Sequence, residues 1–92
     1  SAPPAPTPVA RSPGSGVTAP GFRLPEGTGC AAEIARFRSV MDNDLETGHV
    51  AASVHRQVVS EIDAASSVCS AGRDEEARGR LRATKVRFGY PA

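Results

Sequence analysis

The sequence predicts an all-α fold: a disulfide-bolted antiparallel helical hairpin plus a third C-terminal helix, preceded by a disordered Pro-rich N-terminal arm. Three observations predict it. Two segments repeat their apolar residues at helical spacing on either side of Thr47-Gly48-His49. Cys30 and Cys69 lie at the outer ends of those segments, equally far from the turn. All but one of the 8 prolines fall within residues 1–27, in a stretch with little to bury.

That stretch is the arm. Apart from Val9, Val17, Phe22 and Leu24 it is small, polar or proline. It cannot recover the entropy lost on ordering, so a disordered, partly polyproline-like tether is expected over residues 1–27. Pro4-Ala5-Pro6-Thr7-Pro8 is extended by preference and would also suit a peptide-binding partner.

Residues 28–92 form the expected three-helix domain, with helices at about 30–46, 51–70 and 74–88. In the first, Thr28 is placed to cap and Glu33 lies near the positive end. Cys30, Ile34, Phe37, Met41 and Leu45 share one stripe that Val40 widens, and Gly48 terminates the helix. In the second, Val54, Val58, Ile62, Ala65 and Cys69 repeat without a break, and Gly72 is suited to end it. In the third, Asp74 is expected to cap, Glu75 and Glu76 occupy the first turn, and Ala77, Leu81, Thr84 and Phe88 make a thinner stripe. Gly79 costs this helix about 1 kcal/mol relative to Ala. The third helix is therefore expected to be the least stable and the most loosely packed. Gly89-Tyr90-Pro91 stops it, proline being unable to continue a helix.

Residues at one level of an antiparallel hairpin have sequence numbers with a constant total. Pairing Cys30 with Cys69 puts the midpoint between His49 and Val50 and levels Ile34 with Ala65, Phe37 with Ile62 and Met41 with Val58. Neither the cysteines nor the charges fix the position of the Thr47-Gly48-His49 turn, so this agreement supports a bridge. The same register levels Arg38 with Glu61, Arg36 with Asp63 and Asp44 with His55. Closing a loop of roughly 40 residues is worth about 4 kcal/mol in the chain-entropy model, and a small domain often needs such a staple. The bridge reads as structural, since a reactive pair would be closely spaced or exposed.

Two cysteines alone would also suit a reduced cytosolic protein; the bridge geometry is what points to an oxidising, periplasmic or secreted location. A start at Ser1-Ala2-Pro3-Pro4 fits a processed exported chain and fits a trimmed one equally well. No run of about 18 apolar residues is present, so no membrane span is expected. Net charge is +1 but unevenly placed, acidic from Cys30 to Glu76 and basic from Ala77 onward. Mutual neutralisation of the two halves in the fold is the simplest consequence.

Two places invite binding chemistry. At the hairpin tip Asp42, Asp44 and Glu46 crowd an amide and a turn, as a hard cation such as calcium or a lanthanide requires, with His55 as a further candidate ligand. The spacing departs from an EF-hand: the glycine comes one position late and no closing glutamate follows. On an unbroken helix the three carboxylates diverge, which leaves a solvated acidic face as the alternative. Asp44 opposite His55 is an ordinary charge-assisted pair, a pair of ligands or a pH-sensitive latch. Glu46-Thr47-Gly48-His49 has the Glu-x-x-His spacing of di-iron bundles, but a single copy interrupted by glycine does not make one.

The second place is the basic third helix, where Arg78, Arg82 and Lys85 flank one side of the stripe and Arg80 and Arg87 the other. Arg78, Arg82 and Lys85 are candidate contacts for a protein partner. Nucleic acid or anionic lipid is disfavoured by the near-neutral whole. No serine sits on a glycine-framed strained turn, and neither zinc spacing nor a phosphate-cradling glycine loop occurs, so no enzyme is expected.

Cys30, the Gly48-His49-Val50 turn, the run Cys69-Ser70-Ala71-Gly72-Arg73-Asp74-Glu75-Glu76-Ala77 and Gly89-Tyr90-Pro91 together resemble a group of small exported, periplasmic helical-hairpin proteins of alphaproteobacteria, over about residues 29 to 91. In size and setting the chain is also similar to landiscernin-like lanthanide-binding proteins of methylotrophs. The first resemblance implies a bridged, exported, all-helical domain and brings no catalytic residues; the second implies a trivalent cation at Asp42, Asp44 and Glu46, without a ligand motif that matches residue by residue. The expectation is thus a small periplasmic binding protein for a hard metal cation. The alternative is a non-enzymatic protein-interaction or envelope structural module.

Overall fold

A computed structural model of the protein describes residues 21–92, so residues 1–20 of the arm expected over 1–27 lie outside the described residues. Three helices follow one another: α1 (Gly29–Glu46), α2 (Ala52–Ser70) and α3 (Asp74–Arg87), with no strand among the described residues. The remaining arm residues, 21–27, are irregular and are fastened to α1 by Arg36, whose guanidinium donates to the carbonyls of Gly27 (2.8 Å) and Pro25 (3.4 Å).

The helices end alike, for a local reason. After α1, Gly48 N–H donates to the Leu45 carbonyl and His49 N–H to that of Asp44 (2.7 Å). Gly72 and Arg73 make the equivalent bonds to Cys69 and Val68 after α2, as do Gly89 and Tyr90 to Val86 and Lys85 after α3. This doubly bonded reversal needs a left-handed residue at the glycine, and Gly48, Gly72 and Gly89 all have φ between +80 and +87.

The hairpin register is as the cysteines imply. Ile34, Phe37 and Met41 of α1 and Ala65, Ile62 and Val58 of α2 are all buried, none more than 5% exposed. Cys30 and Cys69 are bridged, with Cα atoms 5.9 Å apart. No helix of the described residues is long and apolar enough to cross a membrane.

The edge charges are shared out differently from the level pairing. Arg38 meets Asp63 (3.0 Å), and Glu61 turns instead to α3, accepting from Arg87 (2.6 Å) and Thr84 (2.7 Å). The third helix, which a two-helix register ignores, competes for the charges along the seam. It is also not loosely packed. Ala77 is 0% and Leu81 1% exposed, because small and medium side chains let α3 settle against both α1 and α2. Gly79 lies off this seam, and a Cβ there would meet nothing within 4 Å.

Candidate functional site

Helix α1 brings Asp42, Asp44 and Glu46 to the hairpin tip but does not bring them together. Asp44 continues the buried stripe and is 1% exposed. Its Oδ2 accepts a hydrogen bond from the Tyr90 hydroxyl at 2.6 Å, while its buried Oδ1 has no hydrogen-bond partner. The Tyr90 ring stands edge-on to Phe37 with centroids 5.3 Å apart, an orientation favoured by the ring quadrupoles. Burial, and then the Asp44 hydrogen bond and charge, raise the Tyr90 hydroxyl well above the ordinary tyrosine range.

The expected Asp44–His55 pair is therefore corrected. His55 Nε2 lies 2.9 Å from Asp42 Oδ1 instead, on the exposed side of the tip. Level pairing fixes height along a hairpin but not rotation about each helix. The inward position at that level is taken by Tyr90, which the Gly89 reversal carries back under the tip.

Glu46 is exposed and shares with Asp42 a shallow cleft of about 300 Å³, closed on the far side by Phe22 and Arg23 of the arm. Asp44 does not line it. The other tip histidine, His49, is held by Thr47, whose Oγ1 lies 2.8 Å from Nδ1. Among the described residues no three His, Cys, Asp or Glu side chains gather as a metal ion would need. The residues named for a calcium or lanthanide ion, Asp42, Asp44, Glu46 and His55, thus do not form one donor set. On a continuous helix, alternate residues point apart.

At the opposite end of the hairpin Asp74 is the organising residue. It was expected to cap α3, but it is the first residue of that helix, and its Oδ1 accepts from the Cys30 N–H of α1 at 2.7 Å. Thr28, at the N-cap position of α1, makes no side-chain cap bond. The carboxylate of α3 thus satisfies one of the orphan amides that begin α1. Gly29 has φ +89, and a Cβ there would lie 3.7 Å from Asp74 Oδ1. Arg78 reaches Asp74 (3.4 Å) and Glu33 (2.9 Å), and the Glu33 charge followed by these hydrogen bonds holds its guanidinium further into the charged form.

The basic helix is neutralised largely from within, as the uneven charge suggested. Arg78 is committed to Glu33 and Asp74, Arg80 lies 3.7 Å from Glu76, and Arg87 binds Glu61. Hydrogen bonds from Thr84 and then Arg87 lower the Glu61 carboxyl below its ordinary value. Lys85 places Nζ 5.4 Å from the Phe37 ring centroid. Of the three residues named for a partner, Arg82 alone is exposed and makes no ion pair with any described residue.

The hydrogen bonds of Tyr90 to Asp44 and of Thr84 to Glu61, and the cross-helix role of Asp74, are not in the sequence reading. For Tyr90 the signal was present: a glycine after α3 returns the next side chain toward the bundle. Comparison of the chain with family models, curated proteins and solved structures finds no match.

Proposed function

We propose that the chain is a non-enzymatic protein-interaction module of an oxidising, extracytoplasmic compartment, which engages an acidic partner through the outer face of α3. One observation carries it. Gly79, Arg82, Ala83 and Val86 recur at helical spacing on the side opposite Ala77, Leu81 and Thr84, and Val86 is 66% exposed beside Arg82, which pairs with no acid among the described residues. An apolar strip beside a cation that the described residues leave unneutralised suits a partner segment with an acidic rim. The disulfide supports the oxidising setting.

A hard-cation binder is the competing reading. It draws support from the tip cleft, where Asp42 and Glu46 stand one turn apart beside Asn43. A photo-crosslinking residue in place of Val86, used in the producing cell, separates the two. The interaction reading expects one dominant adduct with an acidic protein, abolished by Arg82→Glu at unchanged helicity. Absence of an Arg82-dependent adduct overturns it. Saturable shifts of the Asp42–Glu46 amides on titration with calcium or a lanthanide would establish the cation reading.

A further inference from the structure

We propose that the Cys30–Cys69 bridge opens with a fixed polarity: a low-molecular-weight thiol attacks Sγ of Cys69 and expels Cys30 as the thiolate, which makes Cys69 the S-thiolation site of the domain.

Two independent features point the same way. The first is access. Cys30 is 6% exposed beneath the start of α1, whereas Cys69 is only partly buried on the last turn of α2. An incoming thiolate must approach the attacked sulfur in line with the bond it breaks, so the cysteine on the more exposed turn is the easier one to reach. The second is charge. Cys30 is the second residue of α1, at the positive end of that helix, while Cys69 is the last but one of α2, at the negative end. Exchange leaves negative charge on the departing sulfur, and a helix N-terminus stabilises a thiolate that a C-terminus disfavours. Asp74 opposes this, because its carboxylate accepts from the Cys30 amide at 2.7 Å. Glu33, in the same helix as Cys30, adds to this opposition, and Arg78, 2.9 Å from Glu33 and 3.4 Å from the other Asp74 oxygen, offsets part of the two negative charges.

The chemistry balances without a further oxidant or reductant. The thiolate forms a new S–S bond to Cys69 Sγ, and the bond to Cys30 breaks with its electron pair on Cys30 Sγ, which takes a proton from water. A second thiol molecule then attacks the mixed disulfide. It leaves the external disulfide and two protein thiols, a net two-electron reduction of the bridge.

The test uses the full chain, oxidised, with glutathione as the thiol. The reaction is quenched in acid at successive early times, free thiols are alkylated with N-ethylmaleimide, and tryptic peptides are read by mass spectrometry. Cleavage after Arg23, Arg36, Arg56 and Arg73 puts Cys30 and Cys69 on separate peptides, 24–36 and 57–73. Extrapolated to zero time, glutathione is expected on Cys69 and maleimide on Cys30, in an excess on the order of tenfold. Equal labelling, or glutathione mainly on Cys30, overturns the proposal. Asp74→Asn keeps an oxygen for the Cys30 amide while removing the charge, and is expected to quicken the first exchange and enlarge the bias. An unchanged or slower first exchange in that variant would overturn the electrostatic part.

Discussion

The two ends of the hairpin are built on different principles. At the bolted end a covalent bridge, a cross-helix cap and a three-member ion network all join α1, α2 and α3 within a few residues. At the tip the same helices are joined by a turn, an exposed Asp42–His55 pair and one hydrogen bond from Tyr90 to a buried carboxyl. The bolted end is redundant: the bridge, the Asp74 cap and the Arg78–Glu33 pair rest on different side chains, so losing one leaves the other two. The tip relies on Tyr90, and beneath it one oxygen of Asp44 is already unsatisfied. Buried polar atoms without partners are expensive, so further loss there has no reserve to draw on.

The largest effect should come from the bridge. Replacing Cys30 and Cys69 together by Ser frees a loop of 39 residues, and the chain-entropy model puts the loss near 4 kcal/mol. That is a large share of the roughly 5–15 kcal/mol by which ordinary domains are stable. Urea unfolding of the oxidised chain and the double variant measures it. A loss below about 1 kcal/mol would mean that the charges around Asp74 and Arg78 hold the end without the bridge, and the contrast between the ends would lose its covalent basis.

Next in size is Tyr90→Phe, which removes the donor to Oδ2 of the buried Asp44, whose Oδ1 has none, and should cost about 2 kcal/mol. A pH test sharpens it. The Tyr90 hydroxyl is raised in the folded state, chiefly by burial and then by Asp44. Below the unfolded tyrosine value of about 10, both states keep the proton and stability is flat. Above it the unfolded chain ionises first, so stability falls as pH rises toward the folded value. Because the chain has 1 Tyr, absorbance at 295 nm reports this group alone. The fall in stability above the normal tyrosine range should be smaller in Tyr90→Phe. Equal alkaline sensitivity in the two proteins would show that folding does not hold the proton on Tyr90.

What was legible in the sequence divides along a similar line. Helix identity, helix ends and the hairpin register follow from periodicity, glycine placement and the cysteine pair, because each depends on near neighbours or on one pairing rule. Met41 opposite Val58 needed nothing else. Side chains answering to the third helix were not legible. Glu61 was assigned to Arg38 and binds Arg87; Asp44 was assigned to His55 and binds Tyr90; Asp74 was assigned to its own helix and binds the Cys30 amide. For Glu61 and Asp44 the hairpin register is two-dimensional, and the competing partner arrives from outside its plane; for Asp74 a one-helix capping rule does not see the α1 amide packed against it. The acidic tip shows the same limit: its place in the stripe turns Asp44 toward α2, but the donor that meets it, Tyr90, comes from beyond α3.

The smallest effect distinguishes most sharply between the two accounts of α1. If Thr28 capped the helix, Thr28→Ala would cost about 1 kcal/mol. With the cap supplied by Asp74, Thr28→Ala should stay within about 0.5 kcal/mol of the parent, while Asp74→Ala loses about 1 kcal/mol. Asp74→Asn retains an acceptor for the Cys30 amide and should cost less than Asp74→Ala. The Arg78–Asp74 contact is lost in both Asp74 variants, so comparing them separates the cap from the ion pair. Amide hydrogen exchange supplies the local readout: the Cys30 N–H should lose protection in Asp74→Ala and keep it in Thr28→Ala. If protection at Cys30 instead falls in Thr28→Ala, the first turn of α1 is held by its own flanking residue, and the bolted end is less interlocked than its geometry implies.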